Sequence, residues 1–274
     1  MTASTLNTSA QAEVAKDQST QESQTSLDWL QAGHTAVITG GANGIGRAAA
    51  EIFLANGMQV VIADNNAEAL AAAAEDLHAY QDRLEVMTCD VSNYAQVRRL
   101  RDRAFERFAS VDCLMNNAGA AVTRALPWDD LDGWKKQLDI NLWGILHGCH
   151  AFVPALIAQE RAATIINTGS KQGITNPPGG FAYNLSKAGV LNYTQSLAHA
   201  LRDQADANVT AHLLVPGFTY SNMIQRFIPT QPSGAWSTHQ VVDFMLDSLT
   251  TGDFLSLCPD NDTDRTLDEK RIQW

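Results

Sequence analysis

The chain has 274 residues, 45% apolar and 18% charged, enough for one fully cored domain without disulfide or metal staples. Its net charge of −11 argues against a nucleic-acid or anionic-membrane partner, because both require basic patches. Cys89, Cys113, Cys149 and Cys258 lack C-x-x-C spacing, and His147 and His150 lack a further ligand at a suitable offset, so neither a disulfide framework nor a metal site is expected.

In chain order, residues 1–29 are rich in Ser, Thr, Gln and Ala and contain no arginine. They read as a disordered tail rather than a secretory signal or a transit peptide. No apolar run reaches the ~18 residues of a membrane span, and a cytoplasmic location is expected. From residue 30 to 260 a regular beat follows. The apolar runs "TAVIT", "QVVIAD", "LEVMTCD", "VDCLMNN", "ATIINTG", "VTAHLLVP" and "FLSLC" alternate with segments of helical spacing. Runs without polar alternation predict strands buried on both faces. Strand–helix alternation then predicts a single Rossmann-like, doubly wound α/β domain with a mostly parallel seven-stranded sheet. Helices are expected over about 128–159 and 182–205, and another from Ser237 or Thr238 to Gly252. Residues 216–236 have little periodicity and read as a lid or binding loop. The acidic stretch 261–274 reads as a tail, either a surface helix or a docking arm.

The first strand runs into "TGGANGIG", Thr39 to Gly46, and then an alanine-rich helix. Glycines there let the backbone turn sharply and approach a pyrophosphate, whose charge meets free N–H groups at the helix start. Asp64 ends the second strand, where a carboxylate accepts bonds from ribose hydroxyls and repels a 2′-phosphate. Asn43, Asn65 and Asn66 offer such a phosphate no positive charge, so NAD is favoured over NADP.

The stretch "YNLSK" places Tyr183 and Lys187 one helical turn apart. An ordinary tyrosine titrates near pKa ~10, and a nearby ammonium in a desolvated cleft lowers it towards the range of a useful base. Upstream, "NTGS" puts Ser170 at the carboxyl edge of the fifth strand, where open α/β sheets bind ligands and a hydroxyl stabilises developing charge.

These motifs together resemble the short-chain dehydrogenase/reductase family, in its classical branch, over residues 33–258. The glycine spacing "TGxxxGxG" is that family's, and "CDV", "NNAG" and "PG" fall in the family's order. The resemblance implies a cofactor site built from Gly40, Asn43, Gly44, Ile45, Gly46, Asp64, Asp90, Val91, Asn117, Ala118, Gly119, Pro216 and Gly217. Tyr183 and Lys187 join it, and Ser221 stands where the family usually has a threonine. It further implies Tyr183 as general acid/base, Ser170 as holder of the substrate oxygen, and Lys187 as the group that depresses the phenol and grips the nicotinamide ribose. Asn141, in "DINLWG", matches the residue that holds a proton-relay water. The implied activity is NAD-dependent interconversion of a secondary alcohol and a ketone, in a homodimer or homotetramer.

The pocket wall between Ser170 and Tyr183 points to Gln172 and Phe181 as substrate contacts, with Lys171 turned to water. The lid adds Phe218, Tyr220 and Met223, which favour an apolar or aromatic alcohol. Three rival readings are a non-catalytic NAD-binding regulator, an NADP-using ketone reductase, and an extended-branch sugar-nucleotide enzyme. The last is disfavoured because its usual "TGxxGxxG" spacing is absent.

Overall fold

The computed structural model describes residues 27–204, 207–259, 261 and 263–273. Most of the expected N-terminal tail, and Trp274, lie outside the described residues. Seven strands form one sheet in the order β3-β2-β1-β4-β5-β6-β7. They are β1 (Thr35–Thr39), β2 (Gln59–Asp64), β3 (Leu84–Thr88), β4 (Cys113–Asn116), β5 (Ala163–Thr168), β6 (Val209–Val215) and β7 (Leu255–Leu257). Every ladder is parallel, which sharpens the expected mostly parallel sheet. The unbroken apolar runs explain this arrangement, since β1, β4 and β5 are buried at every position and need helices on both faces.

On one face, α3 (Tyr94–Phe108), α5 (Gly144–Ala158) and α7 (Phe181–Arg202) contribute Leu100, Phe152, Leu156 and Val190 to a core with Val37, Leu114 and Ile165. On the other, α1 (Gly44–Ala55), α2 (Ala67–Asp76) and α9 (Thr238–Thr250) contribute Phe53, Leu70 and Met245 to a core with Ile38, Ile62 and Met115. Several helix starts follow capping chemistry. Asn66 and Asn93 accept from Ala69 N and Gln96 N, and Ser237 with Gln240 forms a capping box on α9. All four cysteines are buried and pack as small hydrophobes; burial pushes up the thiols of Cys89, to about 11, of Cys113, and of Cys149, to about 12.

The expected 128–159 helix is a composite. Helix α4 (Leu131–Leu138) passes through a π-turn, Asp139–Trp143, into α5. By length and composition this rod could cross a membrane, but α5 buries Ile145, Cys149, Phe152 and Leu156 as a core helix of this domain. The lid region is less irregular than its composition suggests. Thr219 bridges Trp236, and a four-residue helix, α8 (Asn222–Gln225), lies between them in the chain; another four-residue helix, α6 (Gln172–Thr175), follows β5. The acidic stretch forms α10 (Arg265–Ile272), capped by Asp264 and packed against α6.

Strand order reverses between β1 and β4: from β1 the connections step outward to β2 and β3, and from β4 they step the other way to β5, β6 and β7. The crevice for a ligand opens there, at the strands' carboxyl ends.

Candidate active site

The glycine turn leaves β1 directly into that crevice. Gly44 has φ +60, a left-handed conformation that suits glycine, and a Cβ there would meet only Ser221 Cβ at 3.6 Å. Gly46 is required for space instead. A Cβ on it would strike the Gly40 carbonyl oxygen and lie 2.6 Å from Asn117 Nδ2. Asn43 occupies the N-cap position of α1 without capping it, because its Oδ1 accepts from Asn222 Nδ2 at 3.0 Å. The first N–H groups of α1 therefore keep their capacity to meet a phosphate, and Ile45 and Gly46 lie in that first turn.

Asp64 faces the same turn from the end of β2, accepting from Ala42 N at 3.4 Å and from Asn66 N at 3.1 Å. Asp90 folds one oxygen back onto Ser92, from the backbone N at 2.9 Å and the hydroxyl at 2.7 Å. Val91 is buried and packs against Gly144 at the start of α5. After β4, Asn117 and Ala118 donate their backbone N–H groups to the Thr39 hydroxyl at 3.0 and 3.1 Å, which joins β1 to β4 across the switch point. Thr39 was not singled out in the sequence, although it opens the glycine motif. Pro216 accepts from Lys171 N at 3.2 Å, so the "PG" turn abuts the segment that carries Ser170. Ser221 does not spend its hydroxyl on capping α8 and stands beside Gly44. These open glycine positions, uncapped amides and the acid at the end of β2 fit a dinucleotide.

The candidate catalytic side chains converge at the end of β5. Ser170 is half-buried beside the Tyr183 phenol, and its Oγ accepts from Gln172 N at 3.2 Å. Tyr183 sits in the first turn of α7, with its phenol end enclosed although the residue as a whole is half-buried. Burial pushes the phenol up and the nearby Ser170 hydroxyl pulls it down, with burial dominant. The sequence reading gives the lowering of this phenol to the Lys187 ammonium together with the positive nicotinamide ring of a bound cofactor. The Lys187 ammonium lies 5.8 Å from the centre of the Tyr183 ring and donates to the Thr168 carbonyl at 2.8 Å. Thr168, another residue the sequence reading passed over, also donates through its hydroxyl to Asn117 Oδ1 at 3.3 Å.

Asn141 lies in the π-turn and is fully buried. Its Oδ1 accepts from Ala120 N at 2.9 Å, and its Nδ2 donates to Ala120 O at 3.0 Å and Ser186 Oγ at 3.3 Å. A Cβ on Gly119 would stand 3.5 Å from Asn141 Oδ1 and 3.6 Å from Lys187 Nζ. Gly119 therefore lies between the amide and the ammonium, at ordinary contact distance from both.

Burial lowers Lys187 from its ordinary value to about 8. The sign follows from linkage. Between about 8 and the ordinary value of 10.5 the unfolded chain binds more protons than the folded one, so wild-type stability rises with pH in that window. Below it, the penalty for keeping the buried ammonium charged is fully present. Lys187→Met should abolish that rise, giving a flatter Tm between pH 8 and 10. An equal slope in both proteins would show that Lys187 is not the responsible group.

The proposed substrate contacts are not equally placed. Phe181 is half-buried at the start of α7, and Gln172 is exposed with its Oε1 3.1 Å from where a Gly180 Cβ would stand. Phe218 is exposed and Met223 half-buried on the lid. Tyr220 instead donates its phenol to the Pro229 carbonyl at 2.5 Å and lines a cavity of about 320 Å³ with Asn43, Gly44 and Arg47. It therefore belongs to the side of the cleft near the glycine turn, away from Ser170. The sequence reading missed Arg124, whose guanidinium lies 5.4 Å from the centre of the Phe227 ring and links the loop after β4 to the lid. Lys171 requires correction. It does not point to water but is buried, with its ammonium 2.7 Å from Asp268 Oδ2 on α10. Only the fold brings residues so distant in sequence together.

Comparison with known proteins agrees with this geometry. A family model described as short chain dehydrogenase matches residues 34–232. A 3beta-hydroxysteroid dehydrogenase 2 from Eggerthella lenta is 37% identical over 194 residues, which is 70% of this chain and 73% of the relative. A 2-dehydro-3-deoxy-L-rhamnonate dehydrogenase (NAD(+)) from Sphingomonas is 30% identical over 222 residues, covering 81% of this chain and 82% of the relative. The crystal structure of a short chain dehydrogenase/reductase from Burkholderia phymatum in complex with NAD superimposes with a TM-score of 0.77 at 32% identity, covering 84% of this chain and 89% of that one. With its glycine turn, its switch-point crevice and its Ser170–Tyr183–Lys187 cluster in one all-parallel sheet, the chain belongs to the short-chain dehydrogenase/reductase family.

Proposed function

We propose that the protein is an NAD-dependent oxidoreductase that interconverts a secondary alcohol and a ketone. The observation that carries this reading is the buried Lys187 ammonium 5.8 Å from the centre of the Tyr183 ring, with Ser170 beside the phenol, at the mouth of the dinucleotide crevice. When bound, the dinucleotide supplies the hydride acceptor. Ser170 donates its hydroxyl to the substrate oxygen and holds it against Tyr183. The Tyr183 phenolate removes the hydroxyl proton, which raises the electron density that expels hydride from the carbinol carbon. Lys187 stabilises the phenolate electrostatically from beside the ring. Its neighbour across Gly119, Asn141, lies on the outward route for the proton. In the reverse direction the Tyr183 hydroxyl protonates the developing alkoxide. A panel of secondary alcohols with NAD⁺, read as NADH absorbance, tests the reading. NADH binding without turnover of any alcohol or ketone would instead favour a non-catalytic binding protein.

The preference for NAD rests on Asp64. Its carboxylate at the end of β2 suits ribose hydroxyls and repels a 2′-phosphate, and the neighbouring Asn66 spends its side chain on the α2 cap. The NAD in the name of the Sphingomonas relative and in the Burkholderia complex supports the same choice. Asp64→Ser should lower the NAD-to-NADP ratio of kcat/KM at least roughly tenfold, equivalent to ~1.4 kcal/mol. An unchanged ratio would remove Asp64 from cofactor selection.

A further inference from the structure

The segment after β7 touches both walls of the cleft. Asn261 accepts from Trp236 Nε1 at 2.8 Å and donates to the Ser233 carbonyl at 2.5 Å, which fastens it to the base of the lid. Trp236 in turn donates its backbone N–H to Phe218 O at 2.9 Å and accepts from Tyr220 N at 2.8 Å. Farther on, Asp264 caps α10, and Asp268 reaches across to Lys171, the residue next to Ser170. Lys171 and Asp268 are 7% and 3% exposed, so this ion pair is removed from water. Arg271 stands 4.0 Å from the other Asp268 oxygen.

The position of Lys171 makes the pair more than an anchor for α10. Its backbone N–H donates to Pro216 O at 3.2 Å, which ties it to the "PG" turn. Its carbonyl accepts from Ile174 N at 3.0 Å, Thr175 N at 2.9 Å and the Thr175 hydroxyl at 3.0 Å, which closes the α6 turn. Ser170 therefore leaves β5 through a residue whose main chain is shared between two elements and whose side chain is held by a third. Breaking a buried pair by removing one partner strands the other charge, which then drags its backbone towards water. A shift of about 1 Å in a reacting group is enough to cost roughly a hundredfold in rate.

We infer that Asp268 is a positioning residue: by holding Lys171 inward it fixes the turn between β5 and α6 and so sets the Ser170 hydroxyl against Tyr183. The inference rests on the role given to Ser170 above. It also assigns a task to the acidic stretch after β7, which lies outside the motifs that identify the family.

The test uses the full chain and Asp268→Asn, which keeps size and removes charge. In this variant kcat should fall at least roughly tenfold while the NADH dissociation constant stays within about twofold. In a Ser170→Ala background the same substitution should change kcat by less than about twofold, because the group it positions is already gone. Asp268→Glu, which keeps the charge, should retain most of the activity and serves if the Asn variant fails to fold. Hydrogen exchange of amides 169–175 should accelerate in Asp268→Asn, and this arm needs no substrate. A lower Tm with unchanged kcat and unchanged exchange would reduce the pair to scaffolding and overturn the inference. Equal losses of kcat in the wild-type and Ser170→Ala backgrounds would overturn it as well, by placing the effect elsewhere. Failure of the wild type to turn over any alcohol or ketone would count against the proposed function instead, and the exchange arm would still decide the link.

Discussion

Tyr183→Phe is expected to cut turnover roughly 10³-fold while leaving NADH affinity unchanged, because it deletes one oxygen and keeps the ring that packs beside Lys187. The magnitude is that of a general acid/base removed from a site that otherwise still binds. Burial holds the Tyr183 phenol above its ordinary range, and the nearby Ser170 hydroxyl only partly offsets it. The protein alone therefore keeps the phenol protonated at neutral pH. Ionisation depends on positive charge nearby, and the Lys187 ammonium is the resident source. The alcohol-oxidising rate should accordingly rise with pH in the wild type, and the Phe variant should lose that dependence together with the rate. Retention of more than about a tenth of wild-type turnover in Tyr183→Phe would sink the assignment. It would direct attention to Lys187, which burial has brought to about 8, within reach of acid–base work.

Gly46→Ala should abolish measurable cofactor binding and lower Tm, although it adds one methyl group. That methyl has nowhere to go. It strikes the Gly40 backbone carbonyl, and it stands 2.6 Å from Asn117 Nδ2, which donates to Thr39 O and Gly40 O at 3.2 and 3.3 Å. Neither neighbour is the loose end of a flexible chain, so α1 has to tilt away from β1. Overpacking of this kind costs about 1–3 kcal/mol in stability. The cofactor suffers more, because the N–H groups that meet the pyrophosphate move with the helix. Titration of NADH fluorescence checks the first effect and thermal melts the second. A variant that binds NADH normally would show that the turn relaxes without moving the helix start. Gly44→Ala should be better tolerated sterically but strained in backbone, since it combines open space with φ +60.

The residues that were legible in the sequence share a cause. Unbroken apolar runs such as "TAVIT" and "ATIINT" have one stable use, a strand covered on both faces, and so they set the sheet. Tyr183 and Lys187 were legible because an α-helix makes residues four apart neighbours, and Ser170 because strand ends in such sheets face ligands. What escaped notice depends on contacts between distant segments. Lys171 reads as a surface lysine until Asp268, 97 positions later, is brought to within 2.7 Å of it. The real partner of the Lys187 ammonium, the Thr168 carbonyl, is a backbone atom and leaves no trace in residue type. Arg124 against Phe227 is likewise a meeting of two loops with no periodicity to announce it. Tyr220 was drawn to the substrate by its aromatic character, whereas local chain geometry gives its hydroxyl to Pro229.

The π-turn at Asp139–Trp143 has a mechanical consequence. Each residue of an α-helix advances the side-chain direction by ~100°, so one extra residue resets the phase of everything that follows. Helix α4 and helix α5 form a continuous rod, yet their inward faces need not line up. The stripe that seats Phe152 and Leu156 in the core is uncoupled from the stripe that presents Gln137 and Asn141 to the Ala120 loop. Deleting one residue to restore a regular helix would turn one half of the rod about a quarter turn against the other. Either the core or the amide beside Gly119 would then be out of register, and no single side chain could repair both.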